Sequence, residues 1–545
     1  MITSQKSTKH FWLKSQFLPL FLLFIDPLAV RATNQFWLSA KTNALGTSRL
    51  FGAGSPDNPF YGDFDFIIDT FPSNSTINLL AGVFYTKGNE YKSGDPWLSQ
   101  NQHLIGAGTN VTIIRRDQRF HFQDAQNVAM FGTADGITVS NLTIDCNNTT
   151  GTNLYKGDGI HLWGNNCSIQ MVQVINASGN LSDGQESFPI LIGNGGGTNV
   201  LTTNNVIEHC EVSSVKGNYT TAIVLLGQGI IRFCNVISTD PSIVSGYQAN
   251  ATINSLIISN SCIGAANGFY KDTWSDTNLA IEYNTFQCRK GIFFSEGIGC
   301  FVNGLTLLGN HITLLPNSDN PGEVNGIELA NSATNIQFSH VTIAGNTISG
   351  SGISIRLFDS TYVTNVNNIL WTTNVGSLYY MIFMDGCSNT LTANNLIYGN
   401  GRNASGIYII NPSSKNDVIL NNIVMGYNLN SIYLSNTGCV SVCDSNLFYP
   451  FINNAQTLVQ WQSAGFDNHS VFANPLVANT NTGSFQLTSN SPAIAQAANL
   501  TASGITNDAA GVARPATGAW DIGPYEFEVS SAMQPPTHLQ IHGLP

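Results

Sequence analysis

Residues 284–313 read NTFQCRKGIFFSEGIGCFVNGLTLLGNHIT. An Asn opens a short run of β-branched and aromatic residues. A second run, GIFFS (291–295), follows across a turn, and Asn310 then opens NHIT, 26 residues after Asn284. The same sign recurs in both directions: Asn235 (NVIS), Asn260 (NSCI), Asn346 (NTIS), Asn368 (NIL), Asn395 (NLIY) and Asn422 (NIVM). From Asn235 onward the eight positions are 25, 24, 26, 36, 22, 27 and 27 residues apart. Asn141, Gln173 and Glu211 open earlier copies with substitutions. A period near 25 residues marks a solenoid.

The second run keeps the same period, as GIHLW (159–163), AIVLL (222–226), GFYKD (268–272), GIELA (326–330), GISIR (352–356), MIFMD (381–385), GIYII (406–410) and SIYLS (431–435). No amphipathic helix of about 10–15 residues fits between successive runs, which excludes βαβ units. The arrangement left is all-β: a single-stranded right-handed parallel β-helix over residues 105–450. Each strand pairs with its copy in the next coil. The repeated Asn is expected to form an amide ladder at a turn and to adopt the left-handed backbone there. Residues 33–104 and 451–527 are read as caps over the two ends, which a solenoid must protect. Residues 528–545 are read as a flexible tail.

Composition agrees with this. Charged residues are 10% of the 545, against about 25% in ordinary soluble proteins. With 21 basic and 33 acidic residues the net charge is −12, a poor match for nucleic acid or an anionic membrane surface. Lys6, Lys9, His10 and Lys14 precede an apolar run at 17–25, and Val30 and Ala32 supply small residues before a cut. Residues 1–32 therefore read as a secretory signal peptide, and the protein is expected to be secreted, extracellular or at a cell surface. No later segment approaches the apolar length of a membrane span. The ten cysteines have neither disulfide-framework nor zinc spacing. Most are expected to be buried thiols, with Cys439 and Cys443 the best candidate pair.

HLIGAG (103–108) followed by repeated coils resembles the pectate-lyase-like and polygalacturonase-like superfamily. FANP (472–475), SFQL (484–487), SPAI (491–494), GVARP (511–515) and DIGPYEF (521–527) resemble a C-terminal pattern of secreted bacterial β-helix proteins. In that pattern Asp often follows SPAI; here Ala495 stands there. The resemblance spans roughly residues 45–527 and implies architecture and secretion. Its members include lyases, hydrolases, epimerases, tailspikes and adhesins, so chemistry has to come from the residues. GDGIHL (157–162) faintly resembles a polygalacturonase motif, but the Asp-Asp, Gly-His-Gly and Arg-x-Lys elements of that family are missing. Lys271, Asp272 and Asp276 are a weak echo of calcium-dependent lyases.

Aligning the GIxLx runs with Ile and Leu inward leaves two outward columns. The first reads His161, Val224, Tyr270, Phe293, Glu328, Ser354, Phe383, Tyr408, Tyr433. The second reads Trp163, Leu226, Asp272, Ser295, Ala330, Arg356, Asp385, Ile410, Ser435. Aromatic faces suit the C–H faces of sugars, and carboxylates beside them suit acid–base work. Trp163, Tyr270, Phe293, Phe383, Asp385, Tyr408 and Tyr433 are the candidate substrate contacts. Asp272, Glu328, Glu296, Arg356 and His161 are the candidate catalytic groups. Asp272 and Glu328 lie two coils apart, roughly 10 Å between backbones, near the carboxyl spacing of an inverting glycosidase. The competing roles are structural: loops folded over the aromatics, a salt bridge between Arg356 and Glu328, and a surface His161 packed on Trp163.

These readings lead to a polysaccharide-active protein, a glycoside hydrolase or a polysaccharide lyase. The scarcity of Lys and Arg tilts the choice to a hydrolase. No cofactor is expected, with Ca²⁺ entering only for a lyase. The alternative is a non-catalytic surface, adhesion or carbohydrate-binding protein.

Overall fold

The computed structural model describes residues 34–527 except 44–46, 91–97, 118–126, 148–156, 180–185, 195–200, 216–219, 239–244, 272–274, 295–299, 318–323, 330–336, 373–379 and 454–455. Residues 1–32, expected to be a signal peptide, and 528–545, expected to be a tail, lie outside the described residues, as do Asp272 and Glu296. The chain winds as a right-handed parallel β-helix. One face is a sheet of 13 strands, and the other two columns join into a sheet of 30.

The register explains the core. Along the 13-stranded sheet, Met130, Ile160, Ile190, Ile223, Tyr247, Phe269, Ile292, Ile327, Ile355, Ile382, Ile407 and Ile432 pair coil to coil. All twelve are buried in one lumen cluster. Parallel pairing stacks like on like, so an apolar side chain in one coil is covered by its copies above and below.

The Asn ladder forms where the other two columns meet, and it is buried. Asn310 is typical: its Oδ1 accepts from the backbone N–H of Asn284 at 3.0 Å and from Asn284 Nδ2 at 3.0 Å. Its Nδ2 donates to Ile281 O at 2.8 Å and to Asn346 Oδ1 at 3.0 Å. The series runs Asn260, Asn284, Asn310, Asn346, Asn368, Asn395, Asn422, Asn446. It ends on the carboxylate of buried Asp467, which accepts from Asn446 Nδ2 at 2.9 Å.

Two expectations are corrected here. Asn235 is not a rung: Cys234 holds that position, and its N–H donates to Asn260 Oδ1 at 2.9 Å. The left-handed residue is the one before each rung, as in Ser259, Tyr283, Asn367, Asn394, Asn421 and Ser445, all with φ between 53° and 60°. The paired Asn of 367–368, 394–395 and 421–422 thus divide two tasks, the first making the bend and the second the ladder.

At the N-terminal end, Phe64, Ile67 and Ile68 of the helix Phe64–Thr70 enter the lumen cluster and cover the first coils. At the other end Trp461 of the helix Leu458–Ser463 does the same, its indole donating to Asp467 Oδ2 at 2.8 Å. The rest of the C-terminal segment is not over the end. Phe472 still packs on Phe448 and Phe451 at that end, but beyond it the chain lies along the flank, where Phe485, Leu487, Leu500, Trp520 and Ile522 pack on Val366, Ile369, Leu396, Ile423 and Leu447. Side chains of the left-handed bends pin the segment. Asn421 exchanges two bonds with Ala498 at 2.8 and 2.9 Å, and Asn367 Nδ2 donates to Asn507 O at 2.9 Å. The C-terminal motif is internal bracing: Asp521 accepts from the N–H groups of Ala495 and Phe527, and buried Arg514 reaches Glu526, Gly523 O and Asn367.

All ten cysteines are free and buried. Cys439 and Cys443 do not pair. The Cys439 thiol is directed to Asn411 O and the Cys443 thiol to Asp467.

Candidate functional site

The outward column of the 13-stranded sheet runs Phe131, His161, Leu191, Val224, Gln248, Tyr270, Phe293, Glu328, Arg356, Phe383, Tyr408, Tyr433. It departs from the sequence alignment in two ways. The coils bearing Phe131, Leu191 and Gln248 are additional. Arg356, not Ser354, pairs with Glu328, so Arg356 belongs to the first column and Phe358 stands beside Asp385 in the second. Gly352 is a bend at φ 130°, where a Cβ would lie 2.1 Å from Val324 O; it does not start the strand. A slip of two residues keeps every side chain on its own face, so the hydrophobic pattern cannot reveal it.

Glu328 sits at the centre of this face and is 3% exposed. Its Oε1 accepts from Arg356 Nη1 at 2.8 Å. Its Oε2 accepts from Asn325 Nδ2 at 2.9 Å and lies 3.2 Å from Lys290 Nζ. Both cations also lie on aromatic rings: Lys290 is 3.5 Å from the Phe293 centroid, and the Arg356 guanidinium is 4.7 Å from Phe358 and 5.6 Å from Phe383. The Arg356 side chain is 30% exposed. The cluster carries one negative and two positive charges, with Arg356 the group that solvent reaches most.

Beyond Arg356 the face becomes an aromatic ladder. Tyr380 stacks on Tyr408 at 4.0 Å and Tyr408 on Tyr433 at 4.6 Å, with interplanar angles of 20° and 13°. Phe383 lies 5.5 Å from Phe358 and 5.9 Å from Tyr408. Burial, with Tyr380 adding to it, pushes the Tyr408 phenol up to about 12. Asp385 borders the ladder and accepts from Asn411 Nδ2 at 2.9 Å. On the other side Tyr270 lies 5.7 Å from Phe293.

The structure thus brings Tyr270, Phe293, Glu328, Arg356, Phe383, Asp385, Tyr408 and Tyr433 onto one stretch of the sheet. Trp163 is not among them: four coils separate its strand from that of Tyr270, and it packs edge-on against Phe131. His161 is not a surface group. It is fully buried, with Nε2 3.0 Å from Phe188 O, while Asp158 Oδ1 accepts from Phe188 N–H at 2.7 Å. Lys271 and Asp276 are also interior. They form a buried ion pair at 2.8 Å, and Asp276 accepts from Thr252, so neither is placed to ligate a surface cation. Lys290, Asn325, Phe358 and Tyr380 belong to the face but were missed from sequence. Lys290 and Tyr380 flank their apolar runs, outside the window that alternation reads.

No group of His, Cys, Asp and Glu able to hold a metal occurs among the described residues. None of the described helices is long and apolar enough to cross a membrane.

No protein-family model matches this chain, and no curated protein does. Solved structures do. The A-module of mannuronan C-5 epimerase AlgE6 from Azotobacter vinelandii is 12% identical, with TM-score 0.39 over 74% of this chain and 91% of that one. A mannuronic acid specific polysaccharide family 6 lyase from human gut microbiota is 11% identical, with TM-score 0.43 over 75% and 88%. The surface adhesin PfbA of Streptococcus pneumoniae is 10% identical, with TM-score 0.36 over 63% and 84%. At such identity and overlap nothing about chemistry passes from them to this chain.

Proposed function

We propose that this chain binds a polysaccharide along the outward face of the 13-stranded sheet, outside the cell, with residues 1–32 as its export signal. The observation that carries this is the ladder Tyr380–Tyr408–Tyr433 continuing into Phe383, Phe358 and the Arg356 guanidinium. The rings stack on one another at the coil repeat, so the ladder offers a sugar chain lying across it the ring edges and the phenol hydroxyls. Arg356 adds a planar fork suited to a carboxylate or sulfate on the chain. Glu328 holds that fork and Lys290 in place, a positioning role, since three donors already occupy its oxygens.

Catalysis is a second reading, and one observation favours it. Lys271 and Phe294 pair in register. In the sequence Asp272 follows the first directly and Glu296 is two residues beyond the second. They would be the acid pair of a hydrolase. A lyase would draw on Arg356, with Ca²⁺ supplied from solution.

Purified protein would be run through gels containing neutral or acidic polysaccharides, with and without Ca²⁺, while reducing ends and unsaturated-uronate absorbance are followed. Retardation by an acidic glycan that weakens about tenfold, ~1.4 kcal/mol, in both Tyr408→Ala and Arg356→Ala is expected. Retardation unchanged in both variants would reject the face. New reducing ends abolished by Asp272→Asn or Glu296→Gln would establish the second reading.

A further inference from the structure

A groove of about 520 Å³ lies where residues 474–480 cross the flank of the solenoid, on the 30-stranded sheet and not on the 13-stranded sheet that bears the aromatic face. Small-molecule sites typically fall in the range of roughly 300–1,000 Å³. Its floor is an outward column of three successive coils, Tyr398, Met425 and Tyr449, paired in register. Its wall comes from the C-terminal segment, through Asn474, Leu476 and Asn479.

Two features set this groove apart from ordinary flank. Tyr449 and Leu476 are 45% and 39% exposed, although Phe485, Leu487, Leu500 and Ile522 of the C-terminal segment are buried on the neighbouring coils. Finally, Asn474 and Asn479 commit only their carbonyl oxygens, to the N–H groups of Leu476 and Asn481, each at 3.0 Å. The amide NH₂ of each remains as a donor at the rim. Among the described residues no acidic or basic side chain lines the groove.

We propose that this groove is a second binding site, separate from the sheet face, for a neutral saccharide. Two phenol rings two coils apart, roughly 10 Å, offer stacking surfaces for one or two sugar rings. The Asn amides and Thr480 supply hydroxyl contacts. A charged sugar would gain nothing here, because no counter-charge is present. The site stands independently of the polysaccharide reading of the sheet.

Saturation-transfer NMR of the full chain with maltose, cellobiose and mannobiose tests it. At least one disaccharide is expected to bind, with affinity falling tenfold or more in Tyr449→Ala and about threefold in Asn479→Ala. Arg356→Ala should leave it unchanged. Tyr449 and Asn479 are exposed, so the fold should stand, and an unchanged melting temperature checks this; Tyr449→Phe should bind as wild type. Three results would overturn the proposal: no disaccharide binding, binding indifferent to Tyr449→Ala, or binding lost in Arg356→Ala, which would place the saccharide on the sheet instead.

Discussion

Glu328 shows how one residue's role depends on its neighbours. Sequence alone presents it as a carboxylate on an aromatic face, hence a candidate acid. In the structure it is a nearly buried anion shared by Arg356, Lys290 and Asn325. Replacing it with Gln keeps the shape and removes the charge that holds two cations together. Glu328→Gln should therefore lower stability by roughly 1–3 kcal/mol, read as a shift in the urea midpoint. It should leave binding of an anionic glycan intact or tighter. A catalytic Glu328 would behave in the opposite way, losing turnover with little loss of stability. Arg356 was legible as a candidate, but its partner and column were not, because a two-residue slip is silent in a period-two pattern.

At the scale of the element, the ladder and the N-terminal cap each make a separate statement about stability. Each rung is buried and fully bonded, and Asn346 both accepts from Asn310 and donates to Leu307 O and Asn368. Asn346→Ala strands a buried N–H and a carbonyl, for a cost of about 2–4 kcal/mol. Hydrogen exchange should report the loss first at the amides of coils 310 and 346. An Asn346→Ala variant with wild-type exchange would mean that the ladder carries no stability.

In the cap, burial raises the Asp65 carboxyl from its usual 3.8 to about 7, with the Lys87 N–H opposing the shift and Asp63 adding to it. The proton is thus bound more tightly in the folded state. Below about pH 4 both states are protonated and Asp65 costs nothing. Between about pH 4 and 7 the unfolded chain ionises first, so stability falls through that window and the penalty is complete above it. Asp65→Asn should leave stability unchanged near pH 4 and raise it by roughly 2–4 kcal/mol at pH 8, provided the amide oxygen still accepts from Lys87 N–H. Equal effects at both values would place the shift elsewhere.

The whole molecule is a solenoid with one flank clad by its own C-terminal segment. Ending the chain at Ser470 would keep Trp461 over the lumen but uncover the column Ile369, Leu396, Ile423 and Leu447. Such a chain should retain a β-sheet circular dichroism spectrum yet self-associate, seen as rising light scattering with concentration; a monodisperse product would mean that the cladding is dispensable. The winding of this molecule was legible from residues 284–313 outward. A repeated strand can satisfy its backbone and bury its apolar side only by stacking on its own copies, and that requirement is written in every coil. The ladder was legible for the same reason, apart from the coils of Gln173, Glu211 and Asn235, which pair one residue past the rung. What only the tertiary structure decided is everything that depends on one coil differing from the next: which residues pair across coils, which acids are bound by cations, that His161, Lys271 and Asp276 are interior, and that the C-terminal segment covers a flank and forms a groove there. Periodic sequence specifies the contacts that repeat, whereas a site arises from contacts made once, between residues distant in sequence, and no period records them.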